Sequence, residues 1–267
     1  MLLRMTLATL AVVNCCASVA ALEIHASQCL FGCPEGSSNS NDLIVREIYV
    51  LSSNDETKFA DWAAYKVTAE TIGSTAERNW KPDPSLADEE TLEPIDYKGA
   101  WAELKTDRGH QVPLASFTST PHWETTNYLS NITPQKSALN QGPWVDLETA
   151  VRALAKSPDV DAVFVMTGPL FEREMPTMPG ANEAHKIPSG YWKIVSIQDS
   201  GPIRSAGFIF DQETPRNADY CGEDFVASIR TIERRTGLNF FHGLSTDKQD
   251  ALETQPSTLR SALGCSP

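Results

Sequence analysis

The chain lacks the short patterns that mark several common catalytic machines. No HExxH, no GxSxG and no glycine-rich phosphate loop occurs, so nothing points to zinc-protease, serine-hydrolase or P-loop chemistry. Histidine is scarce, with five in the chain, and His25, His122, His185 and His242 are scattered without metal-ligand spacing. No CxxC pair supports a zinc site, and no internal repeat is visible. Positive charge is also scarce: 22 Lys and Arg stand against 35 Asp and Glu, a net charge of −13. That balance argues against tight passive binding of nucleic acid, which runs on many Lys/Arg–phosphate contacts. It leaves room for an enzyme with a local basic patch and fast product release. Past residue 21 no apolar run approaches the ~18 residues that a membrane span needs.

What is present describes an ordinary globular chain. With 267 residues, 41% hydrophobic and 21% charged, it is long enough to bury a sizeable core. Residues 1–21 read as a secretory signal peptide. Arg4 supplies the positive start, Met5 to Val13 the apolar run, and Ser18-Val19-Ala20 or Val19-Ala20-Ala21 the small residues for cleavage. Cys15 and Cys16 leave with that segment. Cys29, Cys33, Cys221 and Cys265 remain, an even number in an oxidising compartment, so two disulfides are expected. Cys29–Cys33 with Cys221–Cys265 is the simplest of three pairings. The second bridge would close a long loop and stabilise by about 4 kcal/mol through chain entropy.

The hydropathy pattern predicts strands at Leu43–Leu51, Trp62–Val67, Ala162–Met166, Tyr191–Ile197 and Ala206–Phe210. Thr167-Gly168-Pro169 reads as a turn after the third. Residues 34–42 read as a polar loop and 80–98, rich in proline and acids, as an irregular surface segment. Trp144, Leu147, Val151 and Leu154 recur at helical spacing and predict an amphipathic helix over Pro143–Lys156. Pro143 belongs in its first turn, because proline in a helix interior removes a hydrogen bond. Asn140 then falls in the turn before the helix or in a kinked first turn. A second helix is predicted over Asp224–Arg235, stopped by Gly237. Strands and helices mix without a βαβ rhythm, which gives an α+β fold with a mostly antiparallel sheet.

Few residues compete for chemistry. His110 is the first candidate, since an unperturbed imidazole titrates near neutral pH and can take a proton from water. Asn140 offers a hard, neutral amide oxygen of the kind magnesium accepts; taken as an isolated residue it reads first as a helix N-cap. Glu148 and Arg152 sit four apart on the predicted helix. They form either a surface ion pair worth a few tenths of a kcal/mol or a carboxylate and a guanidinium facing metal-bound water and phosphate. Arg78 and Arg108 are cations suited to bidentate phosphate contacts. Asn131-Ile132-Thr133 matches a glycosylation sequon, which we discount as a pattern common by chance.

These residues lie in blocks that resemble the DNA/RNA non-specific endonucleases. The block Thr106-Asp107-Arg108-Gly109-His110-Gln111 carries the family's DRGH signature. Asn127-Tyr128-Leu129-Ser130-Asn131-Ile132-Thr133-Pro134 and Leu139-Asn140-Gln141-Gly142 continue the match. So do Arg78-Asn79-Trp80, Thr167-Gly168-Pro169-Leu170-Phe171-Glu172, Ile187-Pro188-Ser189 and Arg235-Thr236-Gly237-Leu238. The similarity runs from about Cys29 to Cys265, without insertion or deletion between Arg78 and Arg152.

The resemblance implies a ββα-metal core with helices flanking a mostly antiparallel sheet, and a single nuclease domain over residues 22–267. It implies His110 as general base, Asn140 as the direct magnesium ligand (manganese a possible substitute) and Glu148 as the acid holding metal-bound water. Arg78, Arg108 and Arg152 match arginines that bind phosphate or stabilise the transition state, and Asn127 and Asn131 match site asparagines. One short and one long disulfide fit the same pattern. The implied activity is secreted or periplasmic cleavage of DNA and RNA, single- and double-stranded, to 5′-phosphorylated oligonucleotides, with no membrane partner and a homodimer left open. Pro143 departs from the helix-compatible alanine of one family member and bears on how Asn140 is presented. The alternatives are a catalytically inactive nuclease-fold binding protein and a phosphodiesterase acting on non-polymeric esters.

Overall fold

In the computed structural model, which describes residues 25–74, 76–199, 201–254 and 259–266, nine strands and five α-helices are formed among the described residues. The signal-peptide expectation for residues 1–21 lies outside the described residues. Seven strands form one sheet in the spatial order β1 (Asp42–Val45), β2 (Tyr49–Asn54), β3 (Phe59–Val67), β6 (Val163–Leu170), β7 (Gly190–Ile197), β8 (Arg204–Asp211) and β9 (Val226–Ala227). Each neighbouring pair is antiparallel. A separate hairpin pairs β4 (Thr106–His110) with β5 (Ile132–Lys136). The helices are α1 (Ala100–Leu104), α2 (Ser137–Leu139), α3 (Val145–Ala155), α4 (Ile229–Thr236) and α5 (Thr246–Thr254). No helix among the described residues is long and apolar enough to cross a membrane.

The seven-stranded sheet is covered on both faces, which explains its nearly continuous apolar strands. Successive side chains of a strand point to opposite faces. Tyr191, Val195 and Ile197 of β7 therefore face one layer, with Tyr65, Val165 and Leu147 and Val151 of α3. Trp192 and Ile194 face the other, with Trp62, Ala64, Met166 and Ile229 and Ile232 of α4. Each large apolar side chain so buried contributes about 1.5–3 kcal/mol relative to exposure. The α+β architecture with an antiparallel sheet agrees with the sequence reading. Cys29–Cys33 and Cys221–Cys265 are the disulfides formed, so those sulfurs are not zinc ligands.

Four boundaries differ from expectation. Leu43–Leu51 is not one strand. It holds parts of β1 and β2, joined by a tight turn closed by Arg46 N–H donating to the carbonyl of Tyr49 at 2.8 Å. No glycine or proline announces that turn; Arg46 is held in place by an ion pair with Asp83 and by the Tyr128 ring, 4.7 Å away. Thr167-Gly168-Pro169 is not a turn but the continuation of β6. Pairing with β3 ends at Ala63–Thr167, so Pro169, which has no N–H, lies where that side of the strand needs no donor. Gly168 is required because a Cβ there would lie 2.3 Å from the carbonyl oxygen of Asp61.

The second helix starts at Ile229, not Asp224, because Val226 and Ala227 extend the sheet edge and Ser228 caps the helix, accepting from Thr231 N–H at 3.2 Å. Gly237 ends it as expected, at φ 76°. Regular helix in the first helical segment begins only at Val145. The segment 80–98 is irregular but not merely superficial, since Leu92 and Tyr97 are buried against Ile132 of β5.

Candidate active site

The β4–β5 hairpin and α3 place most of the singled-out residues around one cleft of about 570 Å³. Arg78, Arg108, His110, Asn140, Glu148 and Arg152 all line it. Arg108 and His110 are two apart on β4, so the period-2 geometry of a strand points both the same way. The intervening Gly109 packs flat on β5: a Cβ there would lie 2.6 Å from Cβ of Gln135.

His110 stands against Trp80, with ring centroids 5.2 Å apart. Its Nε2 atom is buried without a hydrogen-bond partner. Burial first, and then the positive charge of Arg78, hold the imidazole well below its usual 6.5, at about 3. A polar contact with Asn127 pulls weakly the other way. That contact is not a well-formed hydrogen bond, since both amide atoms of Asn127 are also buried without partners. The ring is therefore neutral at physiological pH.

Asn140 is presented by an interrupted helix. α2 leads into a widened turn, Asn140–Trp144, before α3 begins. Pro143 lies inside this turn, where its missing N–H breaks the regular hydrogen-bond ladder and a wider turn absorbs the loss. Asn140 does not act as an N-cap; its backbone N–H closes α2 by donating to the Ser137 carbonyl. Its Nδ2 donates to Asp107 Oδ2 at 2.9 Å, which commits the nitrogen and leaves the amide oxygen as the free atom. Asp107 also accepts from Ser137 Oγ at 2.7 Å and Gln141 Nε2 at 2.7 Å. It fixes the whole start of the helical segment.

Glu148 and Arg152 do not form the surface ion pair that their spacing allows. Glu148 is 9% exposed, and its carboxylate faces Lys193 of β7, Nζ to Oε1 4.0 Å. Lys193 is completely buried; it donates to the Tyr65 hydroxyl at 3.4 Å and lies 4.1 Å from the Trp144 ring centre. Burial pushes the Glu148 carboxyl up and Lys193 down to about 8, and their mutual attraction opposes both shifts. Arg152 instead donates from Nη2 to Thr149 Oγ1 at 2.8 Å, and its Nη1 is buried without a partner.

Arg78 is exposed and has no ion pair among the described residues. Arg108 is held more firmly, donating to the Pro94 carbonyl at 2.9 Å and lying 5.0 Å from the Tyr97 ring centre. Three guanidinium groups thus share one cleft in a chain of net charge −13.

Asn131 does not reach the cleft. It is fully buried and spent on backbone: Oδ1 accepts from Val112 N–H at 2.9 Å, and Nδ2 donates to the carbonyls of Val112 and Thr126 at 3.0 and 2.9 Å. This also removes the sequon from solvent. Two residues of evident consequence, Asp107 and Lys193, went unassigned in the sequence reading. Lys193 does leave a trace, as a lone charge in the apolar strand Tyr191-Trp192-Lys193-Ile194-Val195.

The donor set suits a hard cation. The free amide oxygen of Asn140 and the Glu148 carboxylate both line the cleft and are oxygen donors, as magnesium prefers. Among the described residues, groups of three close metal-ligating side chains occur elsewhere, at Asp42–Asp55–Glu90 and Glu93–Asp96–Glu183. The cleft therefore offers few protein ligands, which matches an ion that keeps most of its waters.

Known proteins of similar sequence and fold identify the family. The family model described as DNA/RNA non-specific endonuclease matches residues 31–247. The chain is 50% identical over 238 residues to a nuclease of Serratia marcescens, covering 89% of this chain and 88% of that one. It is 28% identical over 210 residues to the mitochondrial endonuclease G of Homo sapiens, covering 73% and 68%. A crystal structure of the EndoG/EndoGI complex shares the fold, with a TM-score of 0.68 at 22% identity over 82% of this chain and 91% of that one. By sequence match and by fold, the chain belongs to the DNA/RNA non-specific endonuclease family.

Proposed function

We propose that the chain is an exported, magnesium-dependent endonuclease that hydrolyses the phosphodiester bonds of DNA and RNA, single- or double-stranded. The observation that carries this reading is the convergence of a neutral His110, a free Asn140 oxygen, Glu148 and three arginines on one cleft. Asn140 and, through ordered water, Glu148 would hold the ion. Magnesium, or manganese in its place, supplies Lewis-acid polarisation of the phosphoryl group and stabilisation of the leaving oxygen.

His110 takes the proton from an attacking water. Its low proton affinity keeps the lone pair available, and the incoming anionic phosphate offsets the field of Arg78 and raises that affinity. Arg78 and Arg152 face charge growing on the non-bridging oxygens, while Arg108, clamped by Pro94 and Tyr97, offers a fixed cation to the backbone. Departure of the 3′-oxygen leaves a 5′-phosphate. No step uses the ribose 2′-hydroxyl, so both polymers are substrates, and contacts to phosphate carry little sequence information. Asn131 serves as a brace that holds the Val112 and Thr126 backbones in register. We place residues 22–267 in one nuclease domain, exported to the periplasm or beyond, consistent with the two disulfides.

The test is degradation of plasmid DNA and of RNA by the mature protein, with magnesium and with EDTA, beside His110→Ala. Cleavage of both polymers is expected with metal and not with chelator, and His110→Ala should lose about 10²–10⁴-fold in rate while staying folded. Full activity in His110→Ala would remove it as the base.

A further inference from the structure

A second groove of about 650 Å³ adjoins the cleft. Arg78, Leu114, Ala115 and Arg152 line both, so the two are continuous. Thr149, Arg152, Ala153 and Lys156 form one side of it. They are spaced at i, i+3, i+4 and i+7, one face of α3 and its C-terminal cap. The opposite side is largely apolar, with Ile72 and Leu114 among its residues.

We infer that this groove is a subsite for a nucleotide flanking the scissile phosphate, with Lys156 contacting a neighbouring phosphate of the strand. The inference rests on the proposed polymer-cleaving function. An enzyme that cuts within a strand must seat chain on both sides of the reacting phosphate, and this groove opens directly from the reacting cleft.

Charge supports the assignment. The first cleft contains Asp107 and Glu148, whereas the residues lining this groove include Arg78, Arg152 and Lys156 and no carboxylate. In a chain of net charge −13 that is a local reversal suited to a polyanion. Lys156 is exposed and has no ion pair among the described residues. Arg152 stands in the shared wall with its Nη1 buried and unpartnered, an orphan donor that an anion would satisfy. Arg152 and Lys156 are one helical turn apart, about 6 Å along the axis, a step of the order of that between successive phosphates.

The apolar residues fit the remaining requirement. Isoleucine, leucine and alanine side chains can pack against a sugar or a base face but offer no donor–acceptor pattern to read a base edge. The subsite binds a nucleotide by its backbone and its bulk, without regard to sequence.

The test uses the full mature protein and a series of single-stranded oligonucleotides of increasing length. Lys156→Glu should lower the advantage in kcat/KM of long over short oligonucleotides by about three- to tenfold and flatten the salt dependence by about one unit of log–log slope. Lys156→Arg should restore both. Lys248→Glu on α5, which packs with α4 on the opposite layer, makes the same charge change and should do neither. A second arm measures anisotropy of a labelled oligonucleotide on His110→Ala, with and without Lys156→Glu; a three- to tenfold weaker Kd is expected. Equal length and salt dependence in Lys156→Glu and wild type, with equal anisotropy affinities, would overturn the subsite. An equal effect from Lys248→Glu would overturn it in favour of a general field. A wild type that cleaves nothing while the anisotropy arm still responds would instead overturn the catalytic reading and leave the subsite standing.

Discussion

Lys193 is an amine buried out of contact with solvent, and its neighbours explain how the fold tolerates it. The Trp144 ring, the Tyr65 hydroxyl and the Glu148 carboxylate surround it. Removing one member of a buried ion pair typically costs about 3–5 kcal/mol, because the other charge is left uncompensated. Lys193→Met should therefore lower stability by about 3 kcal/mol, toward the smaller end because Glu148 borders the cleft and can take up a proton. Adding Glu148→Gln should recover part of that loss. Urea unfolding of the single and double variants measures it; equal midpoints for Lys193→Met and wild type would show that the pair carries no stability. The catalytic motif was legible at this scale, since the letters of DRGH are contiguous and its asparagine follows 30 residues after the histidine. The roles of Lys193 and Asp107 were not, because each acts on a site residue distant in the chain, and the distance closes only when β7 packs under α3 or β4 lies beside α2.

At the scale of elements, the helical interruption at Asn140–Trp144 sets where the metal-facing amide stands. Gly142 makes it possible: a Cβ there would lie 2.3 Å from the carbonyl oxygen of Arg216, whose side chain also donates to Gln141 Oε1 at 2.6 Å. Gly142→Ala must push these backbones apart. Overpacking of this kind costs about 1–3 kcal/mol, and the shift should displace Asn140 and reduce cleavage. Parallel melting curves and plasmid assays would check this; wild-type values in both would mean that the turn adapts freely. Sequence pattern found the central strands and the amphipathic face of α3, because burial on a regular element leaves a periodic trace. It missed the turn at Arg46 and the strand continuation through Thr167-Gly168-Pro169, where an ion pair and the end of a neighbouring strand overrule local turn chemistry.

For the whole molecule, the excess of acids creates crowded carboxylates away from the cleft. Glu93 lies against Asp96 and Glu183, and its backbone N–H donates to Asp96 Oδ2 at 2.6 Å. Burial, and then the charge of Asp96, push its carboxyl up from 4.5 to about 7. The folded protein therefore holds this proton more tightly than the unfolded chain does. The stability linked to it is complete below pH 4.5 and is lost as pH rises through 7. Glu93→Gln should melt like wild type below that window and at a higher temperature above it, in calorimetry across pH. A Tm difference independent of pH would refute the assignment. Net charge was readable from composition, but its partition was not: the arginines converge on the cleft from residues 78, 108 and 152, and only the packed chain gathers them there.

The sequence by itself determined the family, the strand and helix content of the core, and the identity of the histidine, asparagine, glutamate and arginines of the cleft. These depend on residue type and on short-range order along the chain. Tertiary structure decided which of them meet. It turned Asn131 inward onto backbone and brought Arg78 to the histidine. It gave Glu148 a lysine in place of Arg152, and freed Arg152 to stand between two grooves. Each of those outcomes depends on burial and long-range contact, which raise or lower a group's charge and select its partner only after the layers have packed.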